Sequence, residues 1–263
     1  VMKDTNSIVF TSATLANHDG SQGMPQVEWM TGYNLLDAEK RFKTGLFLDN
    51  NYDYGANAKV FLCTDTPSFY DKTFIETTFK SLIPLIRDLG GRSLLLFSAR
   101  VRFDRACEFL LKAFDGEIPL FIQGLGHNVV EEFKKSNNGI LVGMESFGEG
   151  IDIPGESLEF VYIDKVPDLR QDLVIQKRRD FYEANFGNEF NDYFLAHRTR
   201  SLHQKLGRLI RRESDRGCII ITDSRLAKWK GRTLDSFKSM MKPYAINFTT
   251  LDDACEKTRD FLL

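Results

Sequence analysis

Amide and guanidinium side chains recur at helical spacing in the segment from Gln204 to Gly217. Gln204, Arg208 and Arg211 are four and then three residues apart, so a helix through them would present all three on one face. Guanidinium forks match phosphate oxygens, and arginines held against a γ-phosphate stabilise the charge that develops as it leaves. Gly207 would cost such a helix about 1 kcal/mol, which suggests a close approach there. The segment predicts a phosphate-contacting site, with a solvated basic helix as the alternative.

A glycine-rich stretch at residues 143–155 carries a second candidate site. Glycines at this density after a strand allow the backbone to come close to a ligand. Glu149 and Asp152, with Gly150 between them, supply acceptors for ribose hydroxyls or for arginines. The alternative is a plain hairpin turn, which does not readily account for the interleaving of Ser146 and the two acids with the glycines.

Two further segments place small hydroxyl residues after apolar runs. Thr11 and Thr14 follow the strand-like run 8–10, and Ser98 and Arg100 follow a run of three leucines and a phenylalanine. The second run should end at the carboxyl edge of a parallel sheet, where open α/β sheets bind ligands. Such hydroxyls can bond both to carboxylates and to backbone phosphates. Taken singly, the first segment is more often a turn or helix cap, and the second is equally typical of an ordinary strand end with a solvated arginine.

The elements that must position these residues are predicted from the alternation of short apolar runs with longer amphipathic stretches. This pattern is typical of an α/β protein with a mainly parallel sheet flanked by helices. Residues 74–89, 102–114 and 128–136 have helical periodicity. Two long charged helical stretches, 168–186 and 189–211, predict a helical elaboration before the last strand. The predicted strands are 8–10, 60–63, 93–97, 119–122, 139–142, 160–163 and 218–222.

Composition restricts the classes of protein to which the chain can belong. The 263 residues are 42% hydrophobic and 27% charged, which is ordinary for a globular protein that buries a large core. No long apolar run predicts a membrane span, and the first residues lack the layout of a signal peptide, so a cytoplasmic or nuclear setting is expected. The net charge of −2 excludes a uniformly basic coat, so nucleic-acid binding would depend on local patches. Four widely separated cysteines predict buried apolar side chains and no metal site.

The order of these segments resembles the C-terminal motor domain of superfamily 2 helicases, specifically the DinG/XPD family. The motifs are TSATL at 11–15, a strand ending in SxR at 98–100, GxxSFxEGxDxPG at 143–155 and QxxGRxIRxxxDRG at 204–217. Linking pieces at 52–54, 123–124 and 223–226 match as well, so the resemblance covers nearly the whole chain. It implies a RecA-like fold, in which residues 1–20 are the exit strand or linker from an N-terminal motor domain. Residues 21–263 would form the C-terminal helicase domain.

The resemblance also implies roles for individual residues. Arg208 and Arg211 are similar to the arginines that reach the phosphates of ATP, with Gln204 beside them. The nucleotide-side motif corresponds to Glu149, Gly150 and Asp152. The positions expected near single-stranded DNA are Thr11, Thr14, Ser98, Arg100 and Ser146.

Two parts of a working motor are missing from the sequence. It has no GxxxxGK[ST] phosphate loop and no acidic box to hold Mg²⁺. In the family these parts belong to the N-terminal motor domain, usually with an iron-sulfur cluster, so the chain is expected to be a fragment that shares ATP and Mg²⁺ with that domain and is inactive alone. The alternatives are a nucleic-acid-binding or partner-binding module without ATPase activity, and a helicase that acts on RNA.

The sequence departs from the family pattern in two places. Gly148 stands where many members have an aromatic residue, and residues 165–169 replace a proline-rich run. Both departures affect the expected shape of the local loops and the DNA or partner contact there, and neither touches the arginine segment.

Overall fold

The sheet of the computed structural model contains seven parallel strands. The described residues are 8–11, 31–41, 52–148, 153, 155–168, 172–187, 189–207, 209–210 and 212–263. The strands are β1 (Ala58–Cys63), β2 (Ser93–Phe97), β3 (Leu120–Ile122), β4 (Ile140–Met144), β5 (Phe160–Ile163), β6 (Gly217–Thr222) and β7 (Ile246–Thr249). They are arranged in the order β3-β4-β2-β5-β6-β1-β7.

Helices pack on both faces of this sheet. Their bounds are α1 (Tyr54–Asn57), α2 (Phe74–Asp88), α3 (Arg100–Phe114), α4 (Val129–Ser136), α5 (Leu173–Phe186), a π-helix (Phe190–Leu195), α6 (Ala196–Leu206), α7 (Arg232–Met240) and α8 (Leu251–Leu262). Phe61 of β1 belongs to one apolar core with residues of α2, α3 and α8. The next residue, Leu62, belongs to a second core with residues of α4, α6 and α7. Successive strand residues point to opposite faces, so helices cover the strands on both sides.

Most of the predicted elements are confirmed. Six predicted strands and the helices at 74–89, 102–114 and 128–136 are present with small shifts at their ends. All four cysteines are buried and free, and burial raises the pKa of the Cys107 thiol to about 11. Among the described residues, no helix is both long enough and apolar enough to cross a membrane.

One predicted strand was wrong, and one strand was missed. Residues 8–10 are not in a strand. The edge strand β7 was missed, because it is only partly buried and lacks the continuous apolar run of the central strands. The helical elaboration therefore comes before β6, which is the penultimate strand and not the last.

The end of the second helix of the elaboration was also predicted wrongly. Helix α6 ends at Leu206, with Gly207 as its C-cap, and does not run on to residue 211. Leu209 and Ile210 are buried in the second core, and the Leu209 side chain packs against Gly217 at the start of β6. The chain leaves the helix because these two apolar residues fill the space beside the sheet.

Candidate functional site

Charged and hydroxyl side chains follow the central strands at the carboxyl edge of the sheet. Asp164, directly after β5, is completely buried. Its carboxylate accepts hydrogen bonds from the backbone N–H of Ser98 at 3.0 Å and from the Ser98 hydroxyl at 3.2 Å. It also accepts one from Nε of Arg102 at 2.7 Å. Burial raises the pKa of Asp164, and Arg102 and Ser98 offset only part of that shift. The loop after β2 is therefore fixed by a buried carboxylate.

Arg102 connects this loop to the turn that follows β1. Its Nη2 donates to the Ser98 hydroxyl at 2.7 Å, and its Nη1 donates to the carbonyl oxygen of Phe69 at 3.2 Å. Its guanidinium carbon lies 5.3 Å from the centroid of the Phe69 ring. One guanidinium group thus holds Ser98 and Phe69 next to each other.

A second carboxylate, that of Asp168, pairs with three cationic side chains. Oδ1 of Asp168 lies 2.6 Å from Nη2 of Arg198. Oδ2 accepts hydrogen bonds from Nη1 of Arg225 at 2.7 Å and from Nζ of Lys165 at 3.0 Å. Burial would raise the pKa of Asp168, but the charge of Arg198 and the bonds from Arg225 and Lys165 outweigh it and lower that pKa. Lys165 and Asp168, which lie in the segment that departs from the family pattern, therefore belong to a network of paired charged side chains.

Asp223, directly after β6, joins this network from the other side. Its carboxylate accepts hydrogen bonds from the backbone N–H of Val166 at 3.1 Å and from Nη2 of Arg225 at 2.7 Å. Burial opposes the charge of Arg225, but Asp223 and then Asp168 raise its pKa. Arg225 therefore stays cationic while it joins the loops after β5 and β6.

The glycine-rich segment and the arginine segment contact each other through an ion pair whose lysine is buried. Nζ of Lys205 in α6 lies 2.8 Å from Oε1 of Glu145, directly after β4. The same ammonium group donates to the hydroxyl of Ser201 at 3.0 Å. The Gln123 side chain accepts a hydrogen bond from the backbone N–H of Met144 at 2.7 Å, which fixes the end of β4.

The same two segments meet again at their far ends. An added Cβ at Gly155 would lie only 2.5 Å from Oδ1 of Asp215, so the backbone of Gly155 lies against this buried carboxylate. Oδ2 of Asp215 accepts a hydrogen bond from the backbone N–H of Arg212 at 2.9 Å. Glycine at 155 and aspartate at 215 are thus parts of one packed junction.

The structure describes only some of the predicted site residues. Gln204 is exposed at the end of α6, and Ser146 and Thr11 are exposed as well. Arg100 is exposed at the start of α3, where its Nε donates to the Asp104 carboxylate at 2.8 Å. The remaining predicted residues lie outside the described residues: Arg208, Arg211, Glu149, Gly150, Asp152 and Thr14.

Helix α6 ends at Leu206, so the prediction of one helix running from Gln204 to residue 211 was wrong, while Arg208 and Arg211 themselves lie outside the described residues. The predicted close approach at Gly207 is also wrong for the described residues. An added Cβ there would be 3.4 Å from the carbonyl oxygen of His203, which is an ordinary contact. Gly207 ends the helix and does not admit a neighbour.

Sequence reasoning missed the buried carboxylates that organise the site. Asp164 and Asp223 each follow directly after a buried apolar strand. That pattern could have predicted them, since carboxyl ends of neighbouring parallel strands meet at one edge. Among the described residues, no group of acids, histidines or cysteines is arranged to hold a metal ion.

A model of the helicase C-terminal domain family matches residues 82–243. The ATP-dependent DNA helicase YoaA of Escherichia coli (strain K12) is 26% identical over 257 residues, which are 97% of this chain and 36% of that protein. The ATP-dependent helicase DinG of Mycobacterium tuberculosis (strain ATCC 25618 / H37Rv) is 36% identical over 146 residues, which are 54% of this chain and 22% of that protein. The chain thus spans about a third or less of the length of these relatives.

The fold is similar to that of solved structures at much lower identity. The structure of S. tokodaii Xpd4 matches with a TM-score of 0.55 and 15% identity, covering 80% of this chain and 42% of that one. At this identity the likeness shows the fold alone, and that fold is RecA-like.

Proposed function

Since the family match covers residues 82–243, this chain belongs to the helicase C-terminal domain family, and we propose that it is the C-terminal motor half of an ATP-dependent DNA helicase of the DinG/XPD type. Arg208 and Arg211 supply the arginine side of the ATP site in this proposal, with Gln204 beside them. The nucleotide-side motif is completed by Glu149, Gly150 and Asp152. A cytoplasmic setting is part of the same proposal.

The observation that carries the proposal is the junction between the two specific motifs. Lys205 and Glu145 form an ion pair, and Gly155 lies against Asp215. These contacts hold the glycine-rich segment and the arginine segment together at both ends. Two segments joined in this way can respond to the same bound nucleotide.

The missing phosphate loop and acidic box make this chain half of an active site. ATP and Mg²⁺ would be held by an N-terminal motor domain, and any iron-sulfur cluster would belong there. The arginines of this chain would stabilise charge on the phosphates in the transition state. Closing and opening of the cleft between the two domains would then move single-stranded DNA past Thr11, Thr14, Ser98, Arg100 and Ser146.

The test is ATP hydrolysis by this chain alone and by the full-length protein that contains it, each with and without single-stranded DNA. The expected result is no turnover by the chain alone and DNA-stimulated turnover by the full-length protein. Steady turnover by the isolated chain would contradict the half-site proposal. Stimulation by RNA but not by DNA would reassign the substrate, and no hydrolysis in any arrangement would favour a binding module.

A further inference from the structure

An exposed aromatic side chain stands on the turn that follows β1. Tyr70 is 85% exposed, and its ring lies against that of Phe69, with the centroids 4.4 Å apart. The preceding Phe69 is buried. The turn therefore places one ring in the protein and the next one in solvent.

This turn is held rigidly. The backbone N–H of Asp71 donates to the carbonyl oxygen of Ser68 at 2.7 Å, which closes the turn around Phe69 and Tyr70. Arg102 donates to the carbonyl oxygen of Phe69 at 3.2 Å. A residue whose backbone is already fixed loses less conformational freedom when a flat ligand stacks on its ring.

Cationic side chains lie around the ring of Phe69, the residue that precedes Tyr70. The guanidinium carbons of Arg102 and Arg225 lie 5.3 and 4.8 Å from the Phe69 centroid, and Nζ of Lys165 lies 5.0 Å from it. Four cations face three carboxylates in the surrounding network, which consists of Arg102, Lys165, Arg198, Arg225, Asp164, Asp168 and Asp223. An exposed aromatic ring beside cationic side chains is the combination that binds single-stranded nucleic acids without reading their sequence.

The turn that holds Tyr70 adjoins the loop after β2, which is predicted to contact single-stranded DNA. One guanidinium, that of Arg102, bonds both to the Ser98 hydroxyl and to the carbonyl of Phe69. Both donors of Ser98 are bonded to Asp164, so Ser98 marks the path of a strand over this loop without itself bonding a phosphate. A strand on that path lies beside the residue that precedes Tyr70.

We propose that Tyr70 is a stacking platform for one nucleobase of a single-stranded nucleic acid whose backbone passes over Ser98. This inference rests on the proposed function and adds to it a base-contacting residue. Stacking reads neither the identity of the base nor the sugar, so the contact tolerates any sequence. It would hold the strand between motor steps while the phosphate contacts change.

The experiment measures binding of the full-length protein to a fluorescent oligothymidylate. Stacking on one aromatic ring is worth about 1–3 kcal/mol, so Tyr70→Ala should weaken binding by about 5-fold to about 150-fold. Tyr70→Phe and Tyr70→Trp should retain most of the affinity because both keep the ring. The matched control is Leu111→Ala, which removes an exposed apolar side chain near the other end of α3 and should change nothing. Melting temperatures verify that the variants are folded.

Two further measurements separate stacking from other causes. On a strand of abasic sites the wild-type protein should lose affinity, and Tyr70→Ala should cause no additional loss. The dependence of binding on salt should be unchanged in Tyr70→Ala, because no phosphate contact is removed. Unchanged binding by Tyr70→Ala, an equal loss on the abasic strand, or a reduced salt dependence would each overturn the inference. If the wild-type protein neither binds nor responds to single strands, the proposed function fails instead.

Discussion

Lys205 and Glu145 form an ion pair whose two members differ in burial. Nζ and Oε1 are 2.8 Å apart, and the lysine side chain is 1% exposed while that of the glutamate is 24% exposed. An ammonium group without water needs its partner more than a carboxylate that still reaches solvent. The two halves of the pair are therefore not equivalent.

The first prediction follows from this difference. Glu145→Ala leaves the buried ammonium group of Lys205 without its carboxylate partner. The variant should therefore lower the free energy of unfolding by about 3–5 kcal/mol. Lys205→Met should cost less, because Glu145 can turn towards water. The measurement is urea unfolding of the purified variants at neutral pH.

The double variant Glu145→Leu with Lys205→Met is the control for that prediction. It removes both charges and fills the space with apolar groups, which is often neutral or stabilising at a buried pair. Its stability should therefore be well above that of Glu145→Ala. A double variant as unstable as Glu145→Ala would show that the local packing, and not the unpaired charge, determines the loss.

The second prediction concerns Gly207 and Gly217, two glycines of the arginine segment. An added Cβ at Gly217 would lie 2.4 Å from a side-chain carbon of Leu209, whereas at Gly207 the nearest atom is 3.4 Å away. Gly217→Ala should therefore destabilise the protein by about 1–3 kcal/mol through overpacking. Gly207, at φ −64°, is in a conformation open to any residue, so Gly207→Ala should change stability by about 1 kcal/mol or less.

Thermal unfolding of the two alanine variants in parallel checks this pair. The comparison is matched, because both replacements add the same single methyl group. If Gly207→Ala proved the more damaging, the glycine would be required for a close contact that the described residues do not show.

The central sheet was predictable because its strands are buried on both faces. Phe61 and Leu62 enter different cores, so the strand is an unbroken apolar run in the sequence. The half-buried edge strand around Asn247 has no such run. Its position depends on pairing with β1, which is distant in the sequence.

The segments of the candidate site could be predicted from the sequence, but the contacts that join them could not. Ser98 was recognisable at a strand end, but its partner Asp164 is 66 residues away. Lys205 lies next to Gln204 in the arginine segment, and only the folded chain brings it to Glu145. The helix end at Gly207 was missed because the periodicity of Leu209 and Ile210 continues the helical pattern, although both enter the core by another path.

The third prediction concerns acid stability. The pKa of Asp168 lies below its ordinary value: burial would raise it, but Arg198, Arg225 and Lys165 outweigh burial. A lowered carboxyl pKa stabilises the fold above the unfolded-state pKa, and this stability is lost as the pH falls through the folded-state pKa. Asp168→Asn should therefore cost stability at neutral pH and show a shallower loss below about pH 4.

The expected cost of Asp168→Asn at neutral pH is about 3 kcal/mol, at the low end for a broken buried pair. The Asp168 side chain is 29% exposed, and Arg198 keeps its bond to the carbonyl oxygen of Pro167 at 2.7 Å. Urea midpoints at neutral pH and at about pH 3 measure both effects. A variant that loses stability equally at both values would show that Asp168 contributes no charge-dependent stability.

The last prediction concerns the arginines of the proposed ATP site in the full-length protein. If Arg208 and Arg211 meet the phosphates, each stabilises charge mainly in the transition state. Arg208→Ala and Arg211→Ala should then lower DNA-stimulated kcat by about 10³ to 10⁵ with little change in ATP affinity. Lysine should restore little, since a point charge does not reproduce the planar guanidinium fork.

Arg212 provides the control within the same segment. It is exposed, and its backbone N–H, which is bonded to Asp215 at 2.9 Å, remains in the alanine variant. Arg212→Ala should therefore keep near-native turnover. Turnover and nucleotide affinity measured separately for the three alanine variants decide the assignment. Two results would contradict the assignment: Arg212→Ala as damaging as the other two variants, or near-native turnover in all three. In either case the arginine segment is a solvated or DNA-contacting surface and not the arginine side of an ATP site.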